Sequence, residues 1–251
     1  MMTSIWAFAL AFWMFWFPQL VVRVPGPGGA VPAVSVVPAF VQSNGGFGMA
    51  GSTGLAYSGS VTHGNALYVL LFDGNSAGDT LAFSDSEGNS WSTIATRNLN
   101  GDGDTMGIGC ALVSASTGAD TVKWTINGSG APTANNVSIY EVSNSTCTTD
   151  TTSVTDNNTG GPGTSVPCSV GPITTVTTND LLLTACGGSH NGSWALGSGW
   201  SHLQSDNGAS SAEELEMQVG TTASGYTGTS TETIGSNTWE YAGIIVAFKH
   251  L

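Results

Sequence analysis

From about residue 50 to the C-terminus, short apolar runs alternate with polar clusters. No stretch sustains the helical spacing of about 3.6 residues, so the pattern predicts strands. In the first half these are Ala66–Phe72, Thr80–Ser84, Ser90–Thr96, Gly107–Val113, Thr121–Ile126 and Val137–Val142. The second half adds Ile173–Thr178, Leu181–Cys186, Trp200–Gln204, Glu214–Val219, Tyr226–Thr233 and Tyr241–Phe248. Turn chemistry separates them at Asp73-Gly74-Asn75, Glu87-Gly88-Asn89, Asn127-Gly128 and Asn207-Gly208. Leu181–Leu183 and Gly243–Phe248 are apolar at successive positions, which predicts central strands buried on both faces. Ala212–Met217 is ambiguous, but so short a piece rarely holds a helix alone. Cys147–Pro172, rich in Thr, Asn, Gly and Pro, reads as a long loop joining two halves. The expectation is an all-β chain, a jelly-roll-like antiparallel β-sandwich over residues 49–251 with an N-terminal apolar leader.

The leader begins with an unbroken apolar run, Ile5–Phe17, ended by Pro18. It is short for a membrane span and fits the core of a signal peptide. Small residues predict cleavage after Ala30 or Ala33, although no basic residue precedes the core. An uncleaved anchor is the alternative. Residues 31–48 then form an apolar extension interrupted by Pro32 and Pro38 and ended by the hinge-like Asn44-Gly45-Gly46-Phe47-Gly48. Proline removes a ladder donor, so this is an edge or inserted strand. It can fold onto its own sheet or add to a neighbouring subunit's edge, and head-to-tail addition that does not close makes a filament. The side chains that would drive addition are Val34, Val36, Val37, Phe40 and Val41. Their burial contributes on the order of 7–15 kcal/mol before ordering costs.

Charge narrows the partners. The 251 residues include four Lys and Arg against 17 Asp and Glu, a formal net charge of -13. Scattered cations cannot neutralise a phosphate backbone, so nucleic acid is excluded as a partner. Cys110, Cys147, Cys168 and Cys186 show no zinc spacing and form an even set, which predicts two disulfides in a secreted chain. Three pairings are open. Context favours Cys147–Cys168 as a loop staple and Cys110–Cys186 as a link between strands.

Three elements carry a family resemblance: Gly64-Asn65-Ala66-Leu67, Asp85-Ser86-Glu87-Gly88-Asn89-Ser90-Trp91 and Gly118-Ala119-Asp120-Thr121-Val122. The chain resembles secreted bacterial β-sandwich surface modules with GNxL, DSxGNxW and GADTV elements, over roughly residues 50–250. The closing strand Trp239–Lys249 is similar too. The resemblance implies the sandwich fold and an extracellular or cell-surface setting, generally without an assigned activity. The apolar extension resembles the donor strand of pilus subunits in general design.

Candidate chemistry is sparse. Asn98, Asn100, Asp102 and Asp104 alternate with Gly and Leu as in a calcium loop, but Gly109 stands where an EF-hand needs Glu. Calcium is the one candidate cofactor. His63, His190, His202 and His250 fall in no ligand or triad spacing. Glu213, Glu214, Glu216, Glu232 and Glu240 could supply a glycosidase pair, and strand alternation puts Glu214 and Glu216 on one face. Trp194 and Trp200 bracket a Gly/Ser loop and are candidates for stacking on sugars. Asn127, Asn136, Asn144, Asn157 and Asn191 begin N-x-S/T triplets, at the frequency chance gives in such a composition. The leading expectation is a secreted, non-enzymatic structural subunit whose partner is itself, polymerised by insertion of residues 31–44. The alternative is a carbohydrate-binding or adhesion module.

Overall fold

The computed structural model describes residues 36–47, 49, 54–74, 80–98, 104–115, 118–127, 134–151, 154–160, 166–188, 192–207, 212–220, 222, 224–234 and 239–251. All lie in one compact unit, Ser35–Leu251. The leader with its cleavage positions, and Val34, lie outside the described residues.

Strand is the only regular secondary structure among the described residues. Its first half holds β1 (Ala39–Gly46), β2 (Leu55–Ser60), β3 (Ala66–Gly74), β4 (Thr80–Asp85), β5 (Trp91–Asn98), β6 (Thr105–Leu112), β7 (Ala119–Asn127) and β8 (Ala134–Ser143). The second half holds β9 (Ser145–Thr149), β10 (Val154–Gly160), β11 (Val166–Pro167), β12 (Val170–Thr174), β13 (Asp180–Gly188) and β14 (Gly192–Ala195). It continues with β15 (Ser201–Asn207), β16 (Ala212–Gly220), β17 (Gly225–Gly228), β18 (Thr231–Ile234) and β19 (Trp239–His250). Every strand pair is antiparallel. The class expected from the sequence is the class observed.

The two halves repeat one strand order. The first main sheet runs β1-β8-β3-β6-β5 and the second β10-β19-β13-β16-β15, with β9 also on β19. The same positions are filled in the same order along the chain. The covering sheets correspond as well: β2-β7-β4 over the first, and β12-β17 with β11-β18-β14 over the second. The strand expected at Tyr226–Thr233 is therefore two, divided at Thr229 and Ser230, one serving each small sheet.

Side-chain alternation shows why the halves stack. Along β3, Ala66, Tyr68, Leu70 and Phe72 face the second main sheet, while Leu67, Val69 and Leu71 face the cover. On β19, Ala242, Ile244, Val246 and Phe248 enter the shared core, and Tyr241, Ile245 and Ala247 turn to the other cover. Successive apolar residues are thus explained by two buried faces. Close packing also needs absent side chains: a Cβ on Gly109 would stand 2.4 Å from the Phe83 ring, and one on Gly187 2.5 Å from Phe72.

The ambiguous Ala212–Met217 is strand, continuous with the expected Glu214–Val219 in β16. Two expectations are corrected. The region 147–172 is not one loop: β9, β10 and β11 occupy it, polar because they lie at sheet margins. The disulfides are Cys110–Cys147 and Cys168–Cys186 rather than the favoured pairs. Pairing followed strand adjacency. Cys110 on β6 points into the core shared by the main sheets, where β9 brings Cys147. Cys168 lies in the second cover directly over Cys186 of β13. Two bridges mark a chain matured under oxidising conditions.

Candidate functional site

The extension expected to drive assembly ends in β1, which pairs along β8 of its own chain from Ala39↔Ser143 to Gly46↔Val137. The register slips by one residue at Val41, between Phe40 and Gln42. β1 is the outermost strand of its sheet. It is also laid over β15 of the other half: Phe40 stacks on His202 at 4.0 Å and meets Tyr140 edge-on at 5.5 Å. The Ser43 hydroxyl donates to Gln204 Oε1 at 3.1 Å.

The residues that seat β1 are only partly those expected. Phe40 is packed against the core, but Val36, Val37 and Val41 are 38%, 45% and 43% exposed. The anchoring is polar instead. Gln42 Nε2 donates to Glu141 Oε2 at 2.5 Å, and Gln42 Oε1 accepts from Gly59 N and Ser58 Oγ, both at 2.9 Å. Asn44 Nδ2 donates to Ala56 O at 2.9 Å, and Asn144 Nδ2 to Val37 O at 3.1 Å. Glu141 is fully buried, and its other oxygen accepts from Thr62 N at 2.8 Å and Asn65 Nδ2 at 2.6 Å. A polar residue in an apolar extension carries no signal of its own, so Gln42 could be found only once Glu141 was placed opposite.

Two of the three sequence elements, Asp85–Trp91 and Gly118–Val122, build one polar network, while Asn65 of the third turns to Glu141. Asp85 Oδ1 accepts from Gly88 N and Asn89 N, and Oδ2 from Asn89 Nδ2 and Trp91 Nε1 at 2.8 Å each. Asp120 accepts from the Ser86 amide and hydroxyl and from Asn89 Nδ2. Asn89 Oδ1 takes the Ser114 amide and hydroxyl. Gly88, at φ 78°, is left-handed, which lets the turn fold back onto Asp85. Burial pushes both carboxyls up; the Trp91 and Asn89 bonds outweigh it and hold Asp85 low, while the neighbouring Asp85 charge adds to burial and keeps Asp120 high. The bonds of Asp85, Ser86 and Asp120 tie the turn to the start of β7, and Asn89 ties it to Ser114, so these two elements specify loop geometry.

Glu214 and Glu216 lie on one face of β16 as alternation required, and both are fully buried. The Ser230 hydroxyl donates to Glu214 at 2.6 Å and Gly197 N to Glu216 at 2.8 Å. Burial raises Glu216 to about 7, against the pull of Gly197 and Glu214. Closed in this way, the pair presents no exposed carboxylate. The side chains of Glu213, Glu232 and Glu240 lie outside the described part of the chain.

Trp194 and Trp200 are also corrected. Each is 7% exposed, Trp194 packed with Tyr241 and the Cys168–Cys186 bridge and Trp200 with Val170, Ile173 and Leu182. They fill the second cover rather than forming a stacking platform. Of the calcium candidates, Asn100 and Asp102 lie outside the described residues; Asn98 Oδ1 accepts the Thr105 hydroxyl, and Asp104 is buried. Among the described residues no three His, Cys, Asp or Glu cluster as a metal site. His250 lies 3.5 Å from Asp180, His63 is exposed, and His190 is not described. Of the glycan candidates, Asn136 is fully buried in β8, Asn144 is turned onto Val37, and Asn127 is exposed. Asn136 is thereby corrected as an acceptor in the folded chain. Asn191 and the side chain of Asn157 are not described.

No protein family, curated protein or solved structure matches this chain.

Proposed function

We propose that the protein is an extracellular structural subunit that self-assembles into a filament by N-terminal strand exchange, β1 leaving β8 of its own chain for β8 of the next. The observation that carries this reading is the placement of β1. It is the first strand of the described fold, an edge strand held by one ladder, preceded by an apolar segment and ending in Gly45 and Gly46. The equivalent place on β19 is taken by β10, which enters from within the chain. Exchange of β1 reproduces every contact it makes at home, so the swap itself is nearly neutral. The gain lies in Val36, Val37 and Val41, exposed in the closed form. Burying each between subunits contributes about 1–2 kcal/mol.

Electron microscopy of the exported protein beside a form lacking residues 31–44 tests this directly. Filaments that vanish with the truncation support strand exchange. Filaments that survive it move the contact elsewhere, and monodisperse wild-type monomers under all conditions exclude the structural role.

A further inference from the structure

We propose that the Gln42–Glu141 pair is the recognition element of this exchange, so that the seat along β8 accepts only a second copy's strand carrying a carboxamide at position 42. This rests on the strand-exchange reading and names what that site selects.

The geometry makes both ends of the carboxamide necessary. Glu141 is fully buried, with Thr62 N and Asn65 Nδ2 filling Oε1 and Gln42 filling Oε2. An incoming strand without a donor here leaves a buried carboxylate oxygen unsatisfied, which is among the costlier defects a fold can hold. The far side of the amide is oriented as well, because its Oε1 takes the Gly59 amide and the Ser58 hydroxyl. Lysine or arginine would answer Glu141 and leave those two donors facing a cation. Glutamate would answer the donors and face Glu141 with a second carboxylate. Asparagine is one methylene short of spanning from β2 to Glu141. The seat therefore reads one side-chain chemistry and length. The slip at Val41 sets the register that presents it, since the residue after the slip is Gln42. Flanking contacts are less selective: Phe40 meets an exposed His202, and Asn44 meets only a backbone carbonyl.

The experiment uses complementary full-length variants. Gln42→Glu pairs a carboxylate strand with a carboxylate seat. In Glu141→Gln, the seat amide must keep its oxygen on Thr62 and Asn65, so its nitrogen opposes that of Gln42. Each variant is mismatched alone, at home or between copies. In a mixture, the carboxylate strand of the Gln42→Glu chain matches the amide seat of the Glu141→Gln chain. The unaltered Gln42 strand of the second chain matches the unaltered Glu141 seat of the first. Because a variant's mismatch is the same at home and between copies, each variant alone should assemble at about the wild-type concentration, whereas an equimolar mixture, in which exchange replaces mismatches with matches, should assemble at a concentration at least about tenfold lower than either variant alone, with the variants alternating. The double variant Q42E/E141Q should assemble alone, which checks that the altered seat folds.

A double variant that does not assemble overturns the recognition element while the truncation test still decides strand exchange. A mixture that assembles no better than its parts, beside a competent double variant, confines the pair to contacts within one chain and overturns recognition between copies. Wild type that never polymerises sinks the exchange reading, and this proposal with it.

Discussion

Glu216→Gln should abolish a fall in stability with rising pH. Glu216 is fully buried beside Glu214, and the charges of both reach Tyr140. Its carboxyl ordinarily titrates near 4.5, and burial carries it to about 7 in the folded chain. The folded state thus holds this proton more tightly than the unfolded state. The associated stability is fully present below pH 4.5 and is lost as pH rises through 7. The loss amounts to about 3 kcal/mol. Glutamine preserves the acceptor for Gly197 N and offers Glu214 a permanent donor, so the variant should match wild type near pH 4.5 and exceed it by up to about 3 kcal/mol at pH 8. Urea unfolding at closely spaced pH values, disulfides intact, reads the difference. Subtracting the two curves removes the other carboxyls, including Asp120 and Asp180, which burial also raises. A difference curve flat across pH 4.5–8, or one on which the variant loses ground as pH rises, would refute burial as the source of the raised Glu216.

Three further outcomes follow from the packing. Gly109→Ala should destabilise by about 2–3 kcal/mol in chemical denaturation, and Phe83→Leu in the same chain should recover part of it, because the new methyl meets the Phe83 ring. Trp91→Phe removes the indole donor to ionised Asp85 and should cost about 2 kcal/mol at pH 7; the gap should narrow on acidification below the ordinary aspartate range, where Asp85 is protonated in both chains. Removing Cys110 and Cys147 together opens a separation of 37 residues and should cost about 3–4 kcal/mol, lowering the calorimetric midpoint by roughly 10 °C.

What could be read from the chain depended on how each residue signals. Leu181–Leu183 and Gly243–Phe248 announced doubly buried strands because a short run apolar at every position suits a strand covered on both sides. The polar β9 and β10 did not, since edge strands of Thr and Asn look like loop until a neighbour supplies the ladder. Alternation placed Glu214 and Glu216 on one face, but whether that face was open or covered depended on β14 and β18 elsewhere in the chain. Disulfide pairing was equally nonlocal: Cys110 meets Cys147 only because the halves stack. In β1 the valines drew notice by hydropathy, whereas the residue that fixes the strand is a glutamine whose partner lies 99 positions away.

The Cys110–Cys147 bridge gives the fold a mechanical property. β7 and β8 both lie inside the covalent loop it closes, and β8 is the strand that holds β1. Under tension between the chain's ends, load bypasses this loop through the sulfur atoms. Even if β7 and β8 were to melt, the roughly 120 Å of backbone they and their connections contain would stay locked away, and the stretched protein would yield little length. The strand that grips β1 is thus shielded from force along the main chain and can come apart only sideways, by loss of its neighbours.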